Sequence, residues 1–263
     1  MLRLLVLACV LVLTALQPAL AERRLAFVAG MNDYPNLPRD RQLQRAVKDA
    51  ETVGDTLQAL GFQVTRVTRS VTQEAFLRGF GAFVRGIEPG DTALFFFAGH
   101  GIALDGTNYL IPSDIPSLSS GDERLVRSRS LAETDLITDI RERGARVTVM
   151  VIDACRDNPF PKTGTRSLGA TRGLAVKEPA EGVFSIYSAG FGQEALDRLP
   201  GSDASPNSVF TRVFVEQLKK PGVSLIDLGE TVREEVAGLA KQANHAQVPA
   251  VDNQTLGARS VLK

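Results

Sequence analysis

The sequence predicts an α/β domain with a mainly parallel central sheet of about six strands and helices on both faces. Short apolar runs alternate along the chain with amphipathic stretches of helical spacing, the order that parallel strands joined by crossover helices require. Two of the runs, ALFFFAG and RVTVMVI, are too apolar for a strand that faces water and suit the centre of such a sheet. At 263 residues and 44% hydrophobic, the chain can bury a substantial core.

The elements follow in order. Arg24 to Gly30 (RLAFVAG) reads as a strand ending in a turn, and Asn32 to Arg39 as loop. From Asp40 to Leu60, the apolar residues Leu43, Ala46, Val47, Ala50, Val53, Leu57 and Leu60 fall at helical spacing, and Gly61 is a natural stop. Phe62 to Val67 alternates as a half-exposed strand does. Thr72 to Arg85 is a second helix, closed by Gly86 and Pro89-Gly90. After ALFFFAG, Asp105-Gly106 joins two short arms of a hairpin. Residues 112–130 read as polar loop, Leu131 to Arg143 as a third helix, and Arg146 to Ile152 as another buried strand. Residues 158–182, rich in Pro and Gly, read as a long flexible loop. Val183 to Ser188 is a strand, two helices follow near 207–219 and 224–243, and the tail holds at most an edge strand.

The first 21 residues stand apart. A basic start, a long apolar run and Ala19-Leu20-Ala21 give the layout of a secretory signal, with cleavage after Ala21. The run is short for a membrane span and contains Gln17 and Pro18. The expectation is an exported chain, periplasmic or secreted, with one domain over 22–263 and no membrane attachment after cleavage. Thirty basic residues balance thirty acidic ones, so charge gives no support for a nucleic-acid partner.

Cleavage would remove Cys9 and leave Cys155 as the one cysteine, unable to form an internal disulfide. The chain has two histidines, and His100 is one of them. His100 and Cys155 each follow a run read as a buried parallel strand, and in such sheets the working site lies beyond the carboxyl ends of the strands. A thiolate can attack a carbonyl while a neighbouring imidazole holds the proton and returns it to a leaving amine. The backbone N–H of Gly101, with that of Cys155, could form an oxyanion hole. Singly, a buried Cys is ordinarily an inert apolar residue and a lone His an ordinary polar group. Together at two strand ends they point to chemistry. The loops supply no recognisable metal-ligand spacing.

Ala98-Gly99-His100-Gly101, followed 55 residues later by Asp153-Ala154-Cys155-Arg156, resembles the caspase and metacaspase superfamily of cysteine peptidases, whose His precedes its Cys by a similar interval. The opening RLAFVAGMNDY and the helix containing Ala46-Val47-Lys48-Asp49-Ala50 are similar to the family's first strand, loop and helix. The likeness extends from about Arg24 to Leu262 and is nearest to exported bacterial members. It implies a caspase-like domain over 22–263 and a cysteine endopeptidase using a His100–Cys155 dyad on protein or peptide substrates. Caspases that cut after Asp carry Gln two places before the nucleophile. Here Asp153 stands there, as acidic residues do in metacaspases and paracaspases, and Asp49 matches a second acidic position. A carboxylate pocket favours a cationic side chain, so the resemblance implies cleavage after Arg or Lys.

Several further expectations come with the resemblance. Ser188 ends the strand that flanks the substrate, where it either touches substrate or is an ordinary strand-end hydroxyl. Lys162, Arg166, Arg172 and Lys177 in the 158–182 loop offer sites for self-cleavage. No cofactor is implied. Some metacaspases need calcium, and Asp135 and Asp139 could ligate it, but no EF-hand loop is present and no calcium site is assigned. The family contains both monomers and homodimers. The alternatives are a caspase-like binding or scaffolding module without activity, and an acyl transfer to an amine rather than to water.

Overall fold

In the computed structural model, the structure describes residues 22–69, 71–119, 121–155, 182–190, 192–255 and 262. The expected signal segment over 1–21 and the expected loop over 158–182, apart from Gly182, lie outside them. Among the described residues, eight strands and six α-helices follow in chain order: β1 (Arg24–Gly30), α1 (Ala46–Ala59), β2 (Gln63–Thr68), α2 (Gln73–Gly86), β3 (Thr92–Leu104), β4 (Thr107–Leu110), α3 (Glu123–Arg129), β5 (Leu131–Ala132), α4 (Glu133–Glu142), β6 (Val147–Cys155), β7 (Val183–Tyr187), α5 (Val209–Lys219), α6 (Leu225–Gln242) and β8 (Ala250–Asn253). The main sheet has the order β2-β1-β3-β6-β7-β8. All its pairs are parallel except β7 with β8, which closes one edge antiparallel. The six-stranded, mainly parallel sheet agrees with the sequence.

The side-chain period of two divides the core. Phe27, Phe95 and Phe97 face α2, whose Phe76, Phe80 and Phe83 sit at helical spacing. Alternate residues Val28, Leu94 and Phe96 turn to the other face, against α1, α5 and α6 with Phe210 and Phe214. Within the first cluster Phe27 packs edge-on to Phe76 at 5.0 Å and stacked on Phe95 at 5.6 Å. β3 is buried along its whole length, which fixes the middle of the sheet.

Three boundaries differ from expectation. The first helix begins at Ala46 rather than near Asp40, because Arg39–Arg41 forms a separate 3-10 turn. The stretch 112–130 contains α3, whose one buried residue is Val126. β3 does not stop before His100 but continues to Leu104, pairing with β4 around Asp105 and Gly106, both at positive φ. His100 therefore lies inside a strand, and Cys155 is the last residue of one.

Candidate active site

The parallel register sets His100 opposite Cys155 across β3 and β6, with Ala98 opposite Asp153. Adjacent strands lie about 4.8 Å apart, so the two scarce residues are backbone neighbours at one rim. Gly101 follows within β3, opposite Leu110 of β4.

His100 is buried and held on three sides. Its backbone N–H donates to Tyr34 Oη at 2.8 Å, and its carbonyl accepts from Ile111 N at 2.9 Å. The Tyr34 ring lies 4.5 Å from the imidazole, and Tyr34 Oη donates in turn to the Ile111 carbonyl at 3.4 Å. Imidazole Nε2 lies 2.6 Å from the Arg41 carbonyl. A carbonyl can only accept, so Nε2 carries the proton and Nδ1 keeps its lone pair. Nδ1 is buried and has no hydrogen-bond partner among the described residues. Burial pushes the imidazole pKa down to about 4, against a smaller opposing effect of the Arg41 carbonyl. At neutral pH the ring is thus a neutral base with one lone pair available.

Gln42 holds the loop that makes these contacts. Its Oε1 accepts from Tyr34 N at 2.7 Å, and its Nε2 donates to the carbonyls of Tyr34 and Leu37 at 3.0 and 3.1 Å. Gly99 is required beside Tyr34, because a Cβ there would stand 2.7 Å from Tyr34 Oη and 2.9 Å from the Phe97 ring. Tyr34→Phe would leave the His100 N–H buried without an acceptor. It is expected to cost about 1–3 kcal/mol, read by urea unfolding. An unchanged midpoint would refute the account of this hydrogen bond.

Beside His100, a small pocket of about 20 Å3 is lined by Ala46, Asp49, Ala98, Asp153, Asp197 and Ser208, among others. Asp49 reaches it because α1 abuts the end of β1. A Cβ on Gly30 would lie 2.3 Å from the Ala46 carbonyl, so only glycine permits this approach. Asn32, just past β1, accepts from Val47 N at 3.0 Å and so caps α1 from outside. Asp153 arrives on β6 opposite Ala98, whose small side chain leaves space.

The amino end of α5 ties the two acids together. Asp49 Oδ1 accepts from Asn207 Nδ2 at 2.9 Å and from Ser208 N at 3.0 Å. Asp153 Oδ2 accepts from the hydroxyls of Ser208 at 2.6 Å and Thr211 at 2.9 Å. Ser208 also caps α5 by accepting from Thr211 N. These bonds lower both carboxyl pKa values, but burial outweighs them and raises both. Repulsion from Asp153 lifts Asp49 further. Asp197, half-buried, is likewise raised by burial, against the backbone N–H groups of Arg45 and Gln44. The pocket therefore holds three carboxyls short of solvation, a setting that a cation relieves.

Ser188 is buried at the end of β7. Its N–H donates to Ile152 O at 2.9 Å and its carbonyl accepts from Gln247 Nε2 at 2.8 Å, while Oγ makes no well-formed hydrogen bond among the described residues but lies near enough to Asp153 to lower its pKa. Asp135 and Asp139 lie on α4, away from these groups in the chain and on a separate element. Among the described residues no group of three or more His, Cys, Asp or Glu could hold a metal ion.

The structure thus brings His100 into register with Cys155, and gathers Asp49 and Asp153 beside them. Sequence reasoning did not find Asp197, Tyr34, Gln42 or the Arg41 carbonyl. The one legible signal for the α5 contacts was Asn207-Ser208 before an apolar helical run, a capping pattern.

The mainly parallel sheet thus sets one histidine and one cysteine in register at its carboxyl rim. The chain belongs to the caspase domain family, peptidase C14, whose family model matches residues 23–260. It is similar in fold to caspase-1 from Spodoptera frugiperda, with a TM-score of 0.60 and 15% identity over 89% of this chain and 87% of that one. The pro-form, titled pro-sf-caspase-1, gives a TM-score of 0.61 and 13% identity over 89% and 88% of the two chains. No curated protein matches. Among the described residues no helix is long and apolar enough to cross a membrane.

Proposed function

We propose that the chain is a cysteine endopeptidase that cleaves after Arg or Lys. The observation that carries the reading is the pocket of Asp49, Asp153 and Asp197 beside the His100–Cys155 register. Guanidinium or ammonium groups pair with such carboxylates, and an anionic side chain is repelled. The Ser188 hydroxyl, near Asp153 and lowering its pKa, is a further polar group for a cationic side chain.

The reaction follows from the groups at the rim. His100 Nδ1 takes the Cys155 thiol proton, and the thiolate adds to the scissile carbonyl carbon. The N–H groups of Gly101 and Cys155 receive the oxyanion. Collapse breaks the C–N bond as the imidazolium gives its proton to the leaving amine. Water, deprotonated by the same imidazole, then adds to the thioester, and collapse releases the acid and restores the thiol. The leader supports an exported enzyme, acting outside the cytoplasm on proteins or peptides.

Matched fluorogenic peptides ending in Arg, Lys or Asp test this, with reductant and with or without calcium. Cleavage after Arg or Lys is expected, with a loss of about 10³-fold or more in Cys155→Ala. Cleavage after Asp would discard the role of the acids. No cleavage by reduced protein, with or without calcium, would favour a binding module, and transfer to an added amine would indicate a transferase.

A further inference from the structure

Two arginines stand one helical turn from the acid pocket. Arg45 precedes Asp49 by four residues and adjoins Ala46, a pocket wall, while Arg212 follows Ser208 by four on α5. Residues at that spacing share a helix face. Each long cationic side chain is therefore a potential occupant of the pocket, built into the protein itself.

Both are held elsewhere by one carboxylate. Arg45 Nη1 donates to Asp203 Oδ2 at 3.0 Å, and Arg212 donates to Asp203 through Nη2 at 2.6 Å and Nη1 at 3.2 Å. The side chains are 12%, 18% and 7% exposed for Arg45, Arg212 and Asp203. The loop fixes Asp203 in turn, since its carboxylate accepts from Leu199 N at 2.9 Å and Ser205 N at 3.1 Å. The Asn207 carbonyl takes a further bond from each arginine at 3.0 Å. These donors, Arg212 first, hold the Asp203 carboxyl well below the usual carboxylate range, so it stays charged. The acids of the pocket, by contrast, make no ion pair among the described residues, although Arg45 is near enough to lower the pKa of Asp197.

We infer that Asp203 is a specificity-determining residue: it sequesters Arg45 and Arg212 and so keeps Asp49, Asp153 and Asp197 open to the cationic side chain of a substrate. A buried guanidinium deprived of its carboxylate is driven toward the next one, and the next ones are the pocket acids. The chain's own arginine would then compete with substrate. The inference rests on the pocket being the Arg or Lys subsite proposed above.

The test uses agmatine, a small guanidinium probe, with its Kd measured by calorimetry on wild type, Asp203→Asn and Asp203→Asn/Arg45→Gln. Asp203→Asn is expected to weaken agmatine binding at least tenfold and to raise KM for an Arg peptide with kcat little changed. The added Arg45→Gln change is expected to restore most of the affinity, which a merely structural clamp would not allow. Unchanged binding in Asp203→Asn, or no recovery in the double variant, overturns the inference. Wild type that neither binds agmatine nor cleaves Arg peptides overturns the subsite reading and the inference with it. Should Asp203→Asn fold poorly, Arg45→Gln alone decides: it must bind agmatine at least as tightly as wild type.

Discussion

Asp153→Asn is expected to lower kcat/KM for an Arg peptide by about 10²–10³-fold and, at the same time, to raise the thermal midpoint. The activity loss follows from removing one charge of a desolvated ion pair, a change worth about 3–5 kcal/mol. The gain in stability has the same source. Burial raises the folded-state pKa of Asp153 above its unfolded value. Its ionisation therefore costs stability above the unfolded pKa, increasingly as pH rises through the folded one. Asn removes that cost and keeps a carbonyl oxygen for the hydroxyls of Ser208 and Thr211. A gain of about 1 kcal/mol corresponds to about 2–4 °C. Calorimetry at neutral pH, beside peptide kinetics, reads both effects. A variant that loses activity and stability together would mean that the carboxylate is a structural strut and not a binding group under stress.

The second large effect concerns acid. His100 is pushed down to about 4 by burial, whereas an unfolded histidine titrates near 6.5. Between those values the unfolded chain binds a proton that the folded chain refuses. Stability should therefore fall as pH drops from about 6.5 toward 4 and recover as pH rises. The loss from this one residue between pH 7 and 4.5 is about 2 kcal/mol. Asp49, Asp153 and Asp197, all raised, act with the opposite sign and offset part of it. Comparing urea unfolding of wild type and His100→Gln at the two pH values isolates the term, since the variant should lack it. The acid limb of kcat/KM should likewise lie near 4 rather than near 6.5. A limb near 6.5, with equal pH dependence of stability in both proteins, would contradict the buried neutral imidazole.

The sheet was legible because its cause is local. ALFFFAG and RVTVMVI have no polar face, so they can only be central, and their carboxyl ends deliver His100 and Cys155 to one rim. The start of α1 was not, because Leu43 keeps the helical spacing while the backbone before it is otherwise engaged. The Arg41 carbonyl is taken by His100 and the Leu43 N–H by the Asn32 carbonyl, so neither group enters a helical ladder. α3 was missed since only Val126 is buried, leaving almost no periodic signal. Asp49 and Asp153 were found through motif positions. Asp197 and Asp203 lie in a stretch with no periodicity, and their placement depends on Arg45 and Arg212, which meet them only in the folded chain. Tyr34 reads as a loop residue until Gly99 is seen to make room for its hydroxyl.

The continuity of β3 has a consequence for how the site fails. A histidine on a surface loop would be lost by local fraying, long before the protein melts. His100 instead sits within a 13-residue strand paired on both sides. The β3 amides bonded to β1 and β6 should exchange with deuterium only through openings that disrupt the central sheet, while the His100 N–H, held by the Tyr34 hydroxyl, reports on the loop that carries Tyr34. The strand that carries the imidazole is thus as durable as the fold, and loss of the proposed activity short of global unfolding should begin in the loops that surround it.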